Sequence, residues 1–262
     1  MRGHMARVRA GAKIAGVDRE QLREIFGWLL PGQSLVTSDP LHGNARFSTR
    51  DFNQLDFITS PLCDQCGLPF DRMEDEGQIC GACSADPPLW QRARAPFAYD
   101  DISSSLILAL KRGGQRNGLS VFAHHMMDAG RELIDTCDVL IPVPVHYRRL
   151  AGRGFNQAGW LADAVSRLSG APVQHGYLKR VKASPSQGRF SARQRRQNVA
   201  GAFALTRRGC ERLADLRVVI VDDVYTTGST LNACARAIQK ARPANIDVVT
   251  LARVVAPRNP LI

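Results

Sequence analysis

The sequence predicts an α/β protein with a mainly parallel sheet and a small N-terminal cysteine-bearing module. Continuous apolar runs, such as residues 138–145 and 246–255, alternate with amphipathic helical patterns. Such runs are typical of parallel strands that are covered by helices on both faces. Two Cys-x-x-Cys pairs precede them within residues 63–83. A chain of 262 residues is long enough for one mid-sized domain and one small module.

Helical and extended patterns follow one another along the chain. Helices are predicted over residues 18–30, 100–112, 118–134, 154–170 and 229–241. Strands are predicted over residues 138–145, 171–181, 199–205, 217–223 and 246–255, of which 171–181 has the weakest pattern. Helix-ending residues stand where they are expected, at Gly170 and Pro243. We therefore expect an extension over residues 1–50, a cysteine module over 51–95 and an α/β domain over 96–262.

The net charge of +11 is concentrated in one part of the chain. Residues 141–201 contain eleven Lys and Arg against a single acid, Asp163, which is a local net charge of +10. A generally basic, well-solvated surface would spread these residues out. Their concentration predicts a polyanionic ligand, such as phosphate, pyrophosphate or nucleic acid.

The hydropathy pattern argues against membrane insertion and secretion. No apolar run reaches the roughly 18 residues that a membrane-spanning helix needs. The basic residues near the N-terminus are not followed by the apolar segment of a secretory signal. We therefore expect a cytoplasmic protein, in a reducing compartment where paired cysteines favour metal over disulfides.

The two cysteine pairs predict a zinc-ribbon-like module. Cys63 and Cys66 form the first pair, and Cys80 and Cys83 form the second pair after a spacer of thirteen residues. This spacing supplies four thiolates to one tetrahedral zinc ion. With no further ligand evident, the zinc would be structural. The alternative is two redox-active pairs or four buried cysteines without metal.

Two adjacent acids end the predicted strand 217–223. The backbone is expected to turn there, so that Asp222 and Asp223 can both reach one ligand. Their carboxylates suit the hydroxyls of a diol or a magnesium ion. A hydroxyl-rich loop with one glycine follows and opens a helix, which is a suitable phosphate site. Its residues are Thr226, Thr227, Gly228, Ser229 and Thr230.

A diol beside a phosphate describes a ribose 5-phosphate. The alternative interpretation of this segment is a tight strand-to-helix turn with solvated acids. The stretch VVIVDDVYTTGST resembles the phosphoribosyl-pyrophosphate (PRPP) motif of type I phosphoribosyltransferases, apart from Tyr225, where that motif usually has an aliphatic residue.

The resemblance extends well beyond this motif. PLCDQCGLPF, LALKRGG, LIPVPVHYRRLAGRGFNQAGWLA and LKRVKASPSQGRFSARQRRQNVAGAF occur in the order typical of the competence protein F (ComF) family. The similarity covers about residues 58–255. It implies a mainly parallel sheet of the type I phosphoribosyltransferase kind, following a small zinc-ribbon-like module.

The resemblance also implies roles for individual residues. Asp222 and Asp223 would hold the ribose hydroxyls of PRPP, and residues 226–230 would hold its 5-phosphate. Residues 182–198 resemble a hood that closes over the reacting centre, with Arg193 as a catalytic candidate. The turn after residue 145 resembles the pyrophosphate loop, whose nearby arginines are Arg148, Arg149 and Arg153.

Two functions follow from the resemblance. The first is binding of PRPP with magnesium and transfer of its phosphoribosyl group to an acceptor that the sequence does not identify, with release of pyrophosphate. The second is non-catalytic handling of single-stranded DNA together with the competence machinery during DNA uptake. Aromatic residues make up only 6 % of the chain, which gives little support for platforms on which bases stack.

Overall fold

The computed structural model describes residues 53–71, 77–105, 107, 119–146, 154–182 and 201–255, and two short strands before them. The chain divides into two compact units, Met1–Phe52 and Asn53–Ile262. In the first unit, β1 (Gly32–Gln33) pairs antiparallel with β2 (Pro40–Leu41). The helix predicted over residues 18–30 lies outside the described residues.

The second unit contains the remaining strands and helices. Its strands are β3 (Ala93–Arg94), β4 (Phe97–Ala98), β5 (Val139–Pro142), β6 (Leu178–Arg180), β7 (Phe203–Leu205), β8 (Arg217–Tyr225) and β9 (Asn245–Arg253). Its helices are α1 (Gly81–Ala85), α2 (Leu119–Ala129), α3 (Arg131–Ile134), α4 (Gln157–Ser169), α5 (Arg207–Arg212) and α6 (Ser229–Ile238). A 3₁₀ turn, Gln239–Ala241, continues α6, and residues 101–105 are also helical.

A parallel sheet forms the centre of this unit, and the predicted α/β class is confirmed. Its strand order is β5-β8-β9-β3, and β4 also pairs with β9 beyond β3. Every pairing in this sheet is parallel. One row of paired residues crosses the whole sheet through Ile141, Ile220, Val248 and Ala93.

Apolar side chains cover both faces of the sheet. Ile141, Ile220 and Val248 lie on one face, in a buried cluster with residues of α6. Val249, the next residue of β9, points to the other face because successive strand residues alternate. There α2 and α4 pack against each other and against the sheet. Within the part of the chain that the structure describes, no helix has the length and apolarity to span a bilayer.

The helix predicted over residues 118–134 is divided into α2 and α3 at Gly130. A Cβ atom at Gly130 would lie 2.8 Å from Cγ2 of Val249, so the chain approaches β9 too closely there for any side chain. Gly130 also has φ −110° and ψ 20°, which is not helical. The helix is therefore interrupted at the residue that packs closely on β9, a contact that local periodicity does not report.

The strand predicted over residues 171–181 is shorter and lies outside the main sheet. Only β6 is a strand there, and it pairs antiparallel with β7. Val173 makes an isolated parallel bridge to Leu140, at the outer edge of β5. Helix α5 follows β7 with Thr206 as its N-cap, whose hydroxyl accepts from the N–H of Gly209. Only six residues long, α5 is too short for periodicity to predict.

Candidate functional site

The predicted acids lie within β8 rather than on a turn. Strand β8 continues to Tyr225 because β9 stays paired with it as far as Tyr225↔Arg253. On the other side, the described pairing of β5 with β8 ends at Pro142↔Val221. The half-buried Asp222 and Asp223 therefore occupy the stretch of β8 where β5 has diverged. The N–H of Asp223 donates to Oδ1 of Asp222 over 2.9 Å.

The loop after β8 presents donors and hydroxyls at the start of α6. Thr226 and Thr227 are exposed, and α6 begins at Ser229. The hydroxyls of Thr227 and Ser229 are 2.8 Å apart. Because the first N–H groups of a helix lack partners within it, this end of α6 offers both hydrogen bonds and a positive dipole to an anion.

Gly228 shapes the loop in two ways. Its φ of 72° lies in the left-handed region that favours glycine. A Cβ atom at this position would also lie 3.1 Å from Cη2 of Trp90 and 3.1 Å from Cε2 of Tyr225. The loop therefore needs glycine both for its backbone conformation and for its packing.

Tyr225 is the residue at which the motif departs from its general pattern, and its ring is buried. The ring of Trp90 meets it edge-on, with centroids 5.7 Å apart and planes at 85°. The Arg253 guanidinium carbon lies 4.3 Å from the centroid of the Tyr225 ring. Burial raises the pKa of Tyr225 to about 12, although Arg253 opposes the shift. An aromatic residue here fills space between the loop and the cysteine module.

The four predicted cysteines come together in one buried cluster. Their sulfur atoms all lie within 4.8 Å of one another, and Sγ of Cys66 is 3.6 Å from Sγ of Cys80. Four sulfurs at about 2.3 Å from one zinc ion would be separated by about 3.8 Å. The N–H of Cys80 donates to Sγ of Cys63 over 3.3 Å. This donor set fits a tetrahedral metal ion, and the four residues could hold zinc.

The thiols of this cluster differ in their electrostatic surroundings. Burial alone would raise the pKa of Cys63, but backbone donors, with Cys80 first, hold that pKa at about 7. Burial raises the pKa of Cys66 to about 11, against the opposing charge of Arg253. Burial and the Cys66 thiol also raise the pKa of Cys83.

A cleft of about 790 Å³ lies between the cysteine cluster and the loop. Thr226, Thr227 and Ser229 line one wall, and three of the four cysteines line another. Three cations, Arg236, Lys240 and Arg253, and one acid, Asp86, also border it. The structure therefore brings the predicted metal ligands and the predicted phosphate loop to the same cleft, and its cationic lining favours an anion.

Two hydrogen bonds join the cleft walls through the segment that precedes β3. The N–H of Leu89 donates to Oδ1 of Asn232 on α6 over 2.9 Å. The indole N–H of Trp90 donates to the carbonyl of Gln65, between the first two cysteines, over 3.3 Å. The segment thus connects α6 to the cysteine module.

Some predicted site residues fall outside the described part of the chain. They are Arg148, Arg149 and Arg153 of the predicted pyrophosphate loop and Arg193 of the predicted hood. The flanks of the first loop are described: His146 and Gln157 are both buried, and Asn156 donates to the carbonyl of Val143 over 3.0 Å. The structure therefore locates the acids, the loop over residues 226–230 and the cysteines, and the ligand-binding roles of the acids, the loop and the arginines stay predictions.

Sequence reasoning did not find Arg253 or Trp90. Arg253 does carry a signal, because it is a lone cation inside the apolar run 246–255 and a buried charge needs a compensating partner. Trp90 carries no comparable signal, since its role depends on packing against residues distant in sequence.

The chain is similar to one protein family and to several known proteins. Residues 150–260 match the phosphoribosyl transferase domain family. The chain is 34 % identical over 198 residues to competence protein F of Haemophilus influenzae, covering 74 % of this chain and 85 % of that protein. It is 34 % identical over 202 residues to the DNA utilization protein YhgH of Escherichia coli O157:H7, with the same coverage of 74 % and 85 %.

A more distant relative has the same kind of name. The competence protein ComFC of Bacillus subtilis is 25 % identical over 209 residues, covering 77 % of this chain and 81 % of that protein. The similarity to competence protein F is high enough, over enough of both chains, to confirm the predicted family. The chain belongs to the competence protein F (ComF) family.

Proposed function

We propose that the protein binds PRPP with magnesium and transfers the phosphoribosyl group to an acceptor, with release of pyrophosphate. One observation carries this proposal. Two half-buried acids lie in the part of β8 beyond its pairing with β5. A glycine in the left-handed conformation and the N-terminus of a helix follow within six residues. In parallel α/β sheets, ligands bind beyond the carboxyl ends of the strands.

In this proposal the acids and the loop hold the two ends of the sugar phosphate. The carboxylates of Asp222 and Asp223 accept hydrogen bonds from the ribose hydroxyls. Backbone N–H groups and hydroxyls of residues 226–230 donate to the 5-phosphate, supported by the dipole of α6. Gly228 permits this approach, since it has no side chain between the backbone and the phosphate.

The chemical step is a displacement at C1 of the ribose. The bond from C1 to the pyrophosphate oxygen breaks and a bond from the acceptor to C1 forms, so negative charge accumulates on the departing pyrophosphate. Arg148, Arg149, Arg153 and Arg193 are proposed to face that charge. Magnesium would supply further neutralisation, and the carboxylate oxygens of Asp222 and Asp223 suit it directly or through water.

We also propose that Cys63, Cys66, Cys80 and Cys83 hold a structural zinc ion. Four thiolates complete a tetrahedral site and leave no position for a substrate. The pattern fits a reducing compartment, and we place the protein in the cytoplasm on that ground.

Titration calorimetry with PRPP tests the acids, in magnesium and again in a chelator. Asp222→Asn with Asp223→Asn preserves shape and removes two charges. Each lost charge-assisted hydrogen bond costs about 1.5–3 kcal/mol, so the affinity for PRPP should fall at least about tenfold. Asp163→Asn, at an exposed acid paired with His175, is the matched control and should change nothing. Unaltered affinity in the double variant would contradict the ribose assignment.

An assay for released pyrophosphate then separates binding from turnover. Because the acceptor is unknown, the first acceptor to try is water, followed by mixtures of nucleophiles. PRPP binding without pyrophosphate release under all of these conditions would support binding and contradict transfer.

The second candidate function is the handling of single-stranded DNA. The names of the relatives refer to competence and to DNA utilization, and Arg236 and Lys240 line the cleft beside the loop. DNA binding through phosphates should weaken steeply with salt. If DNA uses the basic segment rather than the acids, it should still bind the double Asn variant. Competition between PRPP and DNA would show that the two ligands share the cleft.

A further inference from the structure

Arg253 is a buried cation without a carboxylate partner among the described residues. It is the last residue of β9 and only 8 % exposed. A guanidinium stays charged under all physiological conditions. Burying such a charge is costly unless it is paired and hydrogen-bonded. Its surroundings should therefore include a negative group.

The Arg253 guanidinium is directed at Cys66. Nη1 donates to the carbonyl of Cys66, and Nη2 donates to its Sγ over 3.3 Å. The guanidinium also lies over the ring of Tyr225. Its Nε has no hydrogen-bond partner among the described residues. Among the described residues, the polar neighbours of this charge are therefore the Cys66 carbonyl, the Cys66 sulfur and the Tyr225 hydroxyl, and none of them is a carboxylate.

Four neutral thiols would leave this charge uncompensated, whereas four thiolates on a divalent ion carry a net charge of −2 and would compensate it. We propose that Arg253 is the outer hydrogen-bond donor to a metal-bound Cys66 thiolate, and that through Tyr225 it positions the loop over residues 226–230. This inference rests on the proposed zinc site. Outer donors to metal ligands fix the ligand's orientation and tune its basicity.

The connection to the loop follows from the packing of Tyr225. This residue directly precedes Thr226, and its ring bounds the space beside Gly228 together with Trp90. A ring that loses the guanidinium on one side can shift, and Gly228 has no side chain to resist the movement. Arg253 is therefore a positioning residue for the proposed phosphate loop, acting from the metal side of the cleft.

The test compares Arg253→Met with Arg94→Met. Arg94 is a similarly buried arginine that contacts the same module: its Nη1 donates to the carbonyl of Asp64 over 2.9 Å, and its Nε pairs with Glu132 over 2.9 Å. It touches the chain between the first two cysteines through backbone and carboxylate oxygens. Arg94→Met therefore removes a structural arginine and leaves the Cys66 donor in place.

Chelator competition on the full chain measures the zinc dissociation constant. Arg253→Met should raise it about 10–100-fold, the usual effect of losing an outer partner. In the cobalt-substituted protein, the thiolate-to-metal charge-transfer band should move to longer wavelength, because a thiolate without its donor releases an electron more easily. Arg94→Met should change neither quantity. Arg253→Lys keeps the charge but lacks the planar fork, so its dissociation constant should lie between those of wild type and Arg253→Met.

Amide hydrogen exchange over residues 226–230 tests the connection to the loop. In zinc-loaded Arg253→Met these amides should exchange faster than in wild type, and in zinc-loaded Arg94→Met they should not. An unchanged zinc dissociation constant and band in Arg253→Met, or equal changes in Arg94→Met, would overturn the inference.

The outcomes separate this inference from the proposal beneath it. If the wild-type protein binds no zinc, both the proposed metal site and this inference are wrong. If wild type binds zinc and Arg253→Met behaves identically, only the inference fails. Should Arg253→Met not fold, Arg253→Lys decides: a wild-type dissociation constant and band contradict a role for the two-pronged donor.

Discussion

The cysteine cluster and the loop after β8 face the same cleft but are held in different ways. The cluster lies in a segment with little regular structure, where α1 has only five residues. Its side chains converge from two short stretches of sequence. The loop is positioned by a nine-residue strand and a ten-residue helix, which are anchored in the buried core.

This difference predicts which changes each region tolerates. In the cluster, side-chain sulfurs and the proposed metal hold the fold together, so loss of one ligand should affect stability first. The conformation of the loop is fixed by the strand and the helix on either side of it. Changes of its side chains should therefore affect ligand binding before they affect stability. Gly228 is the exception among the loop residues, because the packing of Trp90 and Tyr225 depends on it.

The largest effect is expected from Cys80→Ser. Structural zinc contributes an apparent binding free energy of about 10–16 kcal/mol in zinc-finger peptides, and that energy is folding energy. Removing one of four ligands should abolish tight zinc binding and unfold at least the module. Native mass spectrometry gives the zinc content, and thermal unfolding followed by circular dichroism gives the stability.

Cys210→Ser is the matched control for Cys80→Ser. Cys210 is an exposed cysteine of α5, outside the cluster, and its replacement should leave both zinc content and unfolding unchanged. Wild-type stability in a zinc-free Cys80→Ser protein would mean that the module does not depend on metal, and the contrast between the two regions would disappear.

A smaller effect on stability is expected from changes at Gly228, with Gly170 for comparison. Both glycines have positive φ, 72° and 78°, but only Gly228 has neighbours near a Cβ. Gly170→Ala should cost about 1–2 kcal/mol of folding free energy through its left-handed backbone. Gly228→Ala should cost about 1–3 kcal/mol more through crowding, and Gly228→Val should also weaken PRPP binding. Urea unfolding and calorimetry measure these quantities.

Equal costs for Gly228→Ala and Gly170→Ala would show that Trp90 and Tyr225 give way easily. In that case the loop would owe little to its neighbours across the cleft, and the proposed connection from Arg253 through Tyr225 would lose its physical basis.

The smallest effect is expected from removing residues 1–50. The division into an extension over 1–50, a module over 51–95 and a domain over 96–262 stays a prediction. Residues 1–50 carry no phosphate-binding pattern and lie outside the family resemblance. A chain beginning at Asp51 should keep its PRPP affinity within about twofold, a change of about 0.4 kcal/mol. Weaker binding by a folded truncated chain would give the extension a part in the site.

Sequence reasoning located the features that depend on local pattern. The cysteine spacing predicted a cluster that the structure confirms as four neighbouring sulfurs. The apolar run before Asp222 predicted a central strand, and α6 with its 3₁₀ turn covers the helix predicted over residues 229–241. In each of these cases the residues that determine the structure are close together along the chain.

The features that were missed depend on contacts between distant residues. Strands β3 and β4 have two residues each, and they are strands only because β9 lies beside them. The hydrogen bond from Arg253 to Cys66 spans 187 positions of sequence. The length of β8 past the acids likewise depends on its pairing with β9. No periodicity or spacing within one segment reports such contacts.

The pairing of β3 with β9 has a consequence for the order of folding during synthesis. The N–H of Arg92 bonds the carboxylate of Asp247, 155 positions later. The cysteines are translated long before β9, so the proposed zinc ion could bind the module before the strand that pairs with β3 has been synthesised. Because contacts between residues so far apart in sequence form slowly, the module is complete before β9 pairs with β3. The ribosome thus synthesises the cysteine-bearing segment first and the strand that carries Arg253 much later.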